Sequence, residues 1–435
     1  MNVAVASKTI DYSTLPSGAP LQGGPGADFG ADIVRWLFPT YIFLILAGFF
    51  GLRAPGIMPA GNDLNPDRAV FTSVNAATLT GFQLSMHPTA FSLTGKVILL
   101  FLTCMGTLFT LIVGGMAAKR ILRLPWSDRR IVSAAGIAQA FVLILGAFSP
   151  HTQGAEGVIG GMVKTSAAWG NSGLYVDTPP GLSDLFTHIV LLPLALLGGL
   201  GLVVLLDVID AVFRGRKLSR HSRVVLQMTA ALFLIGVIGC VLLQVMDLGS
   251  FGWRSSKDSW LPSLREYFPE IVTRATVTSI NARTAGMNLF PIAYPRSMAF
   301  FIMLLMMVGA SPAGTGGGLK TTTLYELCTL PIRLLRRQPL SRTTGIALTW
   351  FGIYIIALLF FQILLLWAEP EMPGDRLLFV TISALSNVGL SHDTVTMTRS
   401  SLVLVSAAMF FGRITPLLIL WWMSDTTRDA DLVVA

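Results

Sequence analysis

Four short stretches of this sequence hold residues whose types and spacing could bind an ion. Each contains a glycine followed by a large apolar residue, and the glycines stand roughly 100 residues apart. They are Gly81, Gly173, Gly286 and Gly389. Glycine allows left-handed backbone, so successive carbonyl oxygens can turn toward one line instead of pairing within a helix. Rings of such oxygens can replace the water around a dehydrated alkali cation.

The residue types of these stretches favour a monovalent cation. Residues 78–82, 171–174, 284–287 and 387–390 contain no Asp or Glu, whereas calcium sites usually include carboxylates. One such stretch alone would be an ordinary turn or helix cap. Four stretches at equivalent positions of a repeated unit instead indicate a permeation site.

Other kinds of site have little support in the sequence. The histidines are scattered, and neither an HExxH nor a GxSxG motif is present. Cys104, Cys240 and Cys328 have no CxxC spacing, so neither a zinc site nor a disulfide framework is indicated. The sequence predicts that the chain is not an enzyme. An intramembrane enzyme stays open as the alternative from a different class.

Residues 309–321 form a glycine-rich stretch with a lysine near its end. Its glycines and Pro312 cannot continue a helix comfortably, so the apolar run from Ser297 should break about halfway across the membrane. The stretch superficially resembles a phosphate-binding loop, but Leu319 interrupts the Gly-Lys pair that such a loop requires. Two interpretations remain, namely a packing kink between helices and a movable loop.

Arg413 lies near the middle of the last long apolar run. An arginine at the centre of a membrane costs about 2.5–3.5 kcal/mol or more. It should therefore face the protein interior or water, unless its side chain extends to the membrane surface. A positive charge in a cation pathway is a barrier, so the sequence predicts that Arg413 is part of a gate.

The composition indicates membrane-spanning helices that position these residues. Hydrophobic residues make up 53% of the chain, charged residues 12%, and the mean hydropathy is +0.68. Each glycine stretch follows a short apolar segment of about ten residues, which cannot cross a bilayer and must enter and return on one side. These segments are residues 69–77, 158–169, 271–280 and 377–385.

The predicted fold is an all-α integral membrane protein of four tandem helix, pore loop and helix repeats. Eight transmembrane helices and four re-entrant pore helices would surround a central pore. The predicted repeats are residues 34–120, 121–217, 218–337 and 338–425, with a gating loop at 309–320 inside the third. A flexible cytoplasmic leader at 1–33 and a short cytoplasmic tail at 426–435 complete the predicted organisation.

The net charge of +8 reflects basic residues that cluster in the connections between repeats. Those connections hold a single acidic residue, Asp128. Basic connections stay in the cytoplasm, so both termini are predicted to be cytoplasmic and the four glycine stretches to approach the outer side. A nucleic-acid partner is therefore not expected.

The four stretches, the interrupted third-repeat span and Arg413 resemble the Trk/Ktr/HKT superfamily of potassium transporters. The resemblance covers nearly the whole chain after residue 33 and is greatest for the Ktr-type (KtrB-like) membrane-translocating subunit. It implies that the glycines are filter glycines and that the residues just before them offer carbonyl oxygens to potassium. The implied filter residues are Leu79, Thr80, Gly81, Asn171, Ser172, Gly173, Thr284, Ala285, Gly286, Asn387, Val388 and Gly389. Serine replaces the first glycine in sodium-selective members of the family, so Gly81 favours potassium.

The same resemblance implies a gate and partners. The implied gate residues are Gly314, Thr315, Gly316, Gly317, Gly318, Lys320 and Arg413. The family implies a homodimer with one pore per subunit and a cytosolic regulatory ring of nucleotide-binding (KtrA/TrkA-like) subunits. Nucleotide is therefore expected only on that partner, no cofactor is expected on this chain, and potassium is the substrate.

The predicted function is potassium uptake across the cytoplasmic membrane of a prokaryote, in contact with membrane lipid and driven by the electrochemical gradient. Two alternatives within transport stay open. One is a sodium or mixed monovalent-cation transporter, and the other is the channel-like subunit of a potassium-pumping ATPase.

Overall fold

The computed structural model describes residues 37–57, 64–83, 91–150, 154–176, 179–246, 260–287, 294–392, 397–426 and 432–434. The predicted leader at 1–33 lies outside these residues, as does most of the predicted tail at 426–435. Within the described residues the regular structure is helical and no strand is formed. The prediction of an all-helical protein is therefore confirmed for this part of the chain.

Thirteen α-helices follow one another along the described residues. They are α1 Leu37–Leu52, α2 Pro66–Ala77, α3 Leu93–Ile121, α4 Asp128–Ala147, α5 Gly154–Gly170, α6 Leu192–Arg214, α7 Arg220–Met246, α8 Trp260–Ile280, α9 Arg296–Met307, α10 Thr321–Leu335, α11 Arg342–Ala368, α12 Gly374–Leu385 and α13 Arg399–Thr426. A π-helical turn at Thr187–Leu191 leads into α6, and another at Asn281–Ala285 extends α8.

Six of the described helices are long and apolar enough to cross a membrane. They are α3, α4, α6 with its preceding π-helical turn, α7, α11 and α13. The two other predicted spans correspond to α1, which has 16 residues, and to α9, which has 12. The chain is thus a helical membrane protein with six membrane-length helices in its described part, while the count of eight stays a prediction.

Four helices, α2, α5, α8 and α12, each end next to one of the glycine stretches. They are called the short helices here, although α8 has 21 residues and α4 has 20. The expected length of about ten residues is wrong for two of them, because α5 has 17 residues and α8 has 21. The prediction counted only apolar residues, whereas α8 also includes charged residues such as Glu270 and Arg274. The length of α8 does not by itself make it re-entrant, since 21 residues span about 32 Å.

The C-terminal ends of the short helices are buried inside the protein, whereas several membrane-length helices face outward. All residues of α2 from Phe71 to its end are buried, and all of α12 from Phe379 to its end are buried. The outer helices α4, α7 and α11 instead expose large apolar side chains, including Phe141, Leu242 and Ile356 at 57%, 57% and 70%. An apolar outer surface of this extent suits contact with lipid.

Candidate ion-binding site

The four glycine stretches continue from the C-terminal ends of the short helices and share a tight backbone turn. In three turns the residue before the glycine donates its N–H to the carbonyl oxygen five residues earlier. The donors and acceptors are Thr80 with Asn75 at 3.0 Å, Ser172 with Ala167 at 2.8 Å, and Val388 with Ser383 at 2.9 Å. In the turn after α8 the glycine itself is the donor, because the π-helical turn Asn281–Ala285 shifts the pattern by one residue.

The turns hold residues other than glycine in left-handed backbone. The residue two positions before the glycine has a positive φ in three turns, with 58° at Leu79, 55° at Asn171 and 48° at Asn387. The four glycines have φ values between 57° and 90°. A left-handed non-glycine residue costs about 1–2 kcal/mol, and such strain clusters at functional sites. Its recurrence at one position of three turns indicates that the surrounding structure imposes it.

The four turns lie against one another although they are distant in the sequence. A Cβ atom added at three of the glycines would overlap a backbone carbonyl oxygen of another turn. The overlapping pairs are Gly81 with Ser172, Gly286 with Val388, and Gly389 with Thr80. These contacts join the first turn to the second, the third to the fourth and the fourth to the first. Because the neighbours are backbone atoms, no side chain fits at these positions without moving a turn.

Two asparagines that the sequence analysis did not single out support the turns. Asn75 of α2 donates from Nδ2 to the carbonyl of Phe82 at 2.8 Å, and its Oδ1 accepts from the N–H groups of Gly81 and Phe82. Asn281 donates in the same way to the carbonyl of Met287 at 2.9 Å. The signal that could have found them is a polar residue five or six positions before the glycine in a short apolar helix.

Three side-chain oxygens at the turns lack hydrogen-bond partners among the described atoms. Asn387 donates from Nδ2 to the carbonyl of Met409 at 2.9 Å, which fixes its amide so that the unpaired Oδ1 is the acceptor. Asn171 Oδ1 and Ser172 Oγ are likewise buried and unpaired. Buried acceptors without a donor are unfavourable unless a cation or a donor meets them. The site is therefore rich in neutral oxygen acceptors, which suits a monovalent cation.

The glycine-rich stretch forms a loop between α9 and α10. Two backbone hydrogen bonds close its base, from Gly309 to Leu319 and from Leu319 to Met307, both at 2.9 Å. Its tip reaches the second turn, where Asn171 Nδ2 donates to Thr315 Oγ1 at 2.6 Å. The tip also reaches the fourth turn. A Cβ atom added at Gly317 would overlap the carbonyl oxygen of Ser386, the residue before Asn387. The predicted gate and filter residues are thus in direct contact.

Arg413 joins the loop to the first turn. Its guanidinium donates to the carbonyl oxygens of Thr78 at 2.7 Å, Leu79 at 3.3 Å and Thr315 at 2.6 Å. The residue is only 3% exposed, so its side chain does not extend to the membrane surface. Lys320, which is 4% exposed, donates to the carbonyl of Gly316 at 2.6 Å. Two cationic side chains therefore hold carbonyl oxygens of one loop.

The space beside these two cations is almost closed. A cavity of about 10 Å³ lies between the loop and α13, and its lining includes Gly314, Gly317, Lys320 and Arg413. A volume of this size holds at most one water molecule. A hydrated alkali cation could not pass through this cavity unless the loop moved.

Comparison with known proteins agrees with the geometry. The sequence profile of the TrkH family, described as a cation transport protein, matches residues 182–424, which is more than half of the 435 residues. The chain belongs to the TrkH family of cation transport proteins.

Three relatives of this TrkH-family chain match over nearly their whole length. The Ktr system potassium uptake protein B of Vibrio alginolyticus is 25% identical over 88% of this chain and 90% of its own. The Ktr system potassium uptake protein B of Bacillus subtilis is 25% identical over 91% of this chain and 96% of its own length. Potassium/sodium uptake protein NtpJ of Enterococcus hirae is 23% identical over 88% and 90%.

A solved structure shares the fold of this TrkH-family chain. The crystal structure of the potassium transporter TrkH from Vibrio parahaemolyticus has a TM-score of 0.68 and 16% sequence identity. The match covers 90% of this chain and 84% of that one. This match shows a shared fold, and the family profile and the relatives place the chain among membrane transporters of the Trk/Ktr superfamily.

A break in α6 of this TrkH-family chain positions the loop, and the sequence analysis missed it. Gly201 has a φ of 77° within α6, which interrupts the helix. The carbonyl of Gly199 accepts from the N–H of Ser311 at 3.0 Å, and that of Gly198 accepts from Thr315 at 3.1 Å. The signal was the Gly-Gly-Leu-Gly sequence at 198–201 in the middle of a long apolar run. The loop is therefore anchored to a broken transmembrane helix.

The described residues offer no alternative metal centre. No group of three or more His, Cys, Asp or Glu side chains converges among them.

Three predicted filter residues have not yet been located. Thr284 and Ala285 lie in the π-helical turn, and the carbonyl carbon of Gly173 lies 3.2 Å from the position of a Cβ atom added at Gly81. The other predicted filter residues take part in the turn contacts given above.

Proposed function

We propose that this chain carries potassium into the cell through a filter that the four glycine turns form. The observation that carries the proposal is the mutual contact of the turns, in which each of three glycines abuts a carbonyl oxygen of another turn. Backbone oxygens arranged in this way replace the hydration shell of an alkali cation. The buried, unpaired amide oxygens of Asn171 and Asn387 add to this environment.

Potassium is the ion that the relatives and the first turn favour. The relatives from Vibrio and Bacillus are named as potassium uptake proteins, and Gly81 occupies the position that carries serine in sodium-selective members of the superfamily. A mixed potassium and sodium transporter is the second candidate. It is supported by the one-residue shift in the third turn, which makes the filter less regular, and by the name of the Enterococcus relative.

The proposal includes the predicted architecture of four repeats, at 34–120, 121–217, 218–337 and 338–425, around one pore. The four short helices support it, because each ends at the cluster of turns and directs its partly negative C-terminal end there. Basic residues at the ends of α3 and α6, including Lys119, Arg120 and Arg214, would then lie in the cytoplasm with both termini.

The gate in this proposal is the loop at 309–320 together with Arg413 and Lys320. Support comes from the contacts of the loop tip with two turns, from the guanidinium that holds the carbonyl of Thr315, and from the nearly closed cavity beside it. Retraction of the loop would open this space.

Partners complete the proposal. The relatives are named as proteins of a Ktr system, which supports a complex of more than one kind of subunit. We propose a homodimer in the cytoplasmic membrane that a cytosolic ring of nucleotide-binding (KtrA/TrkA-like) subunits regulates. Nucleotide would act on that ring, and potassium would be the substrate of this chain.

Rubidium uptake into liposomes that hold the purified chain tests the function. We expect uptake that potassium inhibits at much lower concentration than sodium or lithium, because the filter oxygens replace the hydration of the larger ions. Liposomes without protein are the control. Equal inhibition by potassium and sodium would instead support the mixed-cation transporter, and no uptake above the control would contradict transport.

Arg413→Ala is expected to raise rubidium uptake at least tenfold. The repulsion between one unit charge and an ion several ångströms away is about 2–4 kcal/mol at an effective dielectric near 20. The variant also removes the hydrogen bond from Arg413 to the carbonyl of Thr315 in the loop. Arg399→Ala is the matched control, because it removes an exposed arginine from the same helix. Unchanged or reduced uptake by a well-folded Arg413→Ala variant would show that the residue is structural.

A further inference from the structure

A second buried arginine, Arg283, lies beside the glycine-rich loop. It belongs to the π-helical turn that follows α8 and is only 3% exposed. It donates to the carbonyl oxygen of Thr229 in α7 and to that of Gly309 at the base of the loop, both at 3.3 Å. Its Nε has no hydrogen-bond partner. Among the described residues, no Asp or Glu forms an ion pair with this guanidinium.

An arginine in such surroundings indicates a function. A charged side chain inside a membrane protein is costly, and such residues mark ion pathways and other functional sites. The guanidinium makes two long hydrogen bonds and leaves its Nε unpaired, so the cost of burying its charge is poorly compensated. Something other than stability must therefore account for Arg283.

The two buried arginines hold opposite parts of the same loop. Arg413 binds the carbonyl of Thr315 near the tip, and Arg283 binds the carbonyl of Gly309 at the base. We propose that Arg283 is a positioning residue that fixes the base of the gating loop to the third turn and to α7. The inference rests on the proposed gate function of that loop.

The position of Arg283 gives this tether two consequences. Its contact with Thr229 connects the loop to α7, a helix that begins at Arg220 next to the basic connection after α6. A displacement of α7 would therefore reach the base of the loop directly. Its charge also offsets the partly negative C-terminal end of α8, so the third turn attracts a cation less strongly than it would without Arg283.

Thiol labelling of the loop tests the tether. Ser311 is 1% exposed, and its hydroxyl donates to the carbonyl of Leu200 at 2.8 Å, so Ser311→Cys reports loop movement with little change in size. The reporter is placed in a background in which the exposed Cys328 is replaced by serine. The rate of modification by a water-soluble thiol reagent is then compared with and without Arg283→Gln in the full-length protein.

We expect Arg283→Gln to raise the modification rate about tenfold, the factor expected when one hydrogen bond to a charged group is lost. Arg283→Lys keeps the charge but reaches one carbonyl, and should give an intermediate rate. Arg274→Gln is the matched control. Arg274 lies in α8, shortly before Arg283, and forms an ion pair with Glu270 of the same helix. The control should leave the rate unchanged.

An unchanged rate in folded Arg283→Gln or Arg283→Lys protein would overturn the tether, as would an equal rise in Arg274→Gln. If glutamine prevents folding, the lysine variant alone decides between these outcomes. The labelling requires no ion transport, so its result is independent of rubidium uptake by the parent. Absence of uptake with an increased labelling rate would contradict the transport proposal and leave the tether intact.

Discussion

Gly81→Ser should lower the preference for potassium over sodium at least tenfold in a rubidium-competition assay. Gly81 has a φ of 90°, and a Cβ there would overlap the carbonyl oxygen of Ser172. Because that oxygen is a backbone atom, no side-chain rotation can make room for the serine, and the backbone of one of the two turns must shift. A tenfold change corresponds to about 1.4 kcal/mol between the two ions, and strained backbone at such positions costs about 1–3 kcal/mol.

Gly352→Ser provides the matched control for this change. Gly352 lies in α11, and nothing lies within 4 Å of the Cβ that a serine would add there. Its selectivity should equal that of the parent. If folded Gly81→Ser protein keeps the selectivity of the parent, Gly81 does not belong to the filter.

Deletion of residues 313–317 should raise uptake and make it largely independent of a nucleotide-binding partner. The deleted tip carries the contacts of Thr315 with Asn171, Gly198 and Arg413. The base should survive, because its two backbone hydrogen bonds involve Met307, Gly309 and Leu319 only. A partner shifts a loop equilibrium only through its different affinities for the two positions, and no blocking position remains after deletion.

The measurement compares rubidium uptake by parent and deletion, with and without the partner, at equal amounts of folded protein. Ala313→Gly is the matched control, because Ala313 has a φ of 62° that glycine adopts readily, and loop length is preserved. Its uptake should keep the partner dependence of the parent. Full partner dependence of the deletion would place the gate elsewhere and leave the loop as a packing kink.

Several features were predictable from the sequence because a membrane restricts what a chain can do. Backbone groups cannot stay unpaired in lipid, so glycine stretches between apolar runs had to be buried together in the protein. Glycines and Pro312, which cannot continue a helix comfortably, indicated that the apolar run from Ser297 would break in the glycine-rich stretch, and α9 ends at Met307. Arg413 was predicted to face the protein interior or water because a charge exposed to lipid is costly, and the residue is buried in the protein.

Element lengths were less predictable. Hydropathy detects apolar residues, and α5 and α8 continue beyond their apolar segments. The first and the interrupted third-repeat spans have no described helix of full membrane length. For this reason the sequence supports an all-helical membrane protein more firmly than a particular number of spans.

The tertiary structure alone decided which groups meet. Sequence spacing assigns Gly81 and Gly389 to equivalent turns but does not reveal that they abut Ser172 and Thr80, because these contacts depend on how the short helices pack.

Asn75, Gly201 and Arg283 also became visible only in the structure. An asparagine, a glycine or an arginine in an apolar helix has many possible partners, and only packing selects one. The sequence by itself determined that this chain is a membrane cation transporter with four glycine turns. The tertiary structure decided how carbonyl oxygens, two arginines and one loop come together, because each of these contacts joins residues that lie far apart in the chain.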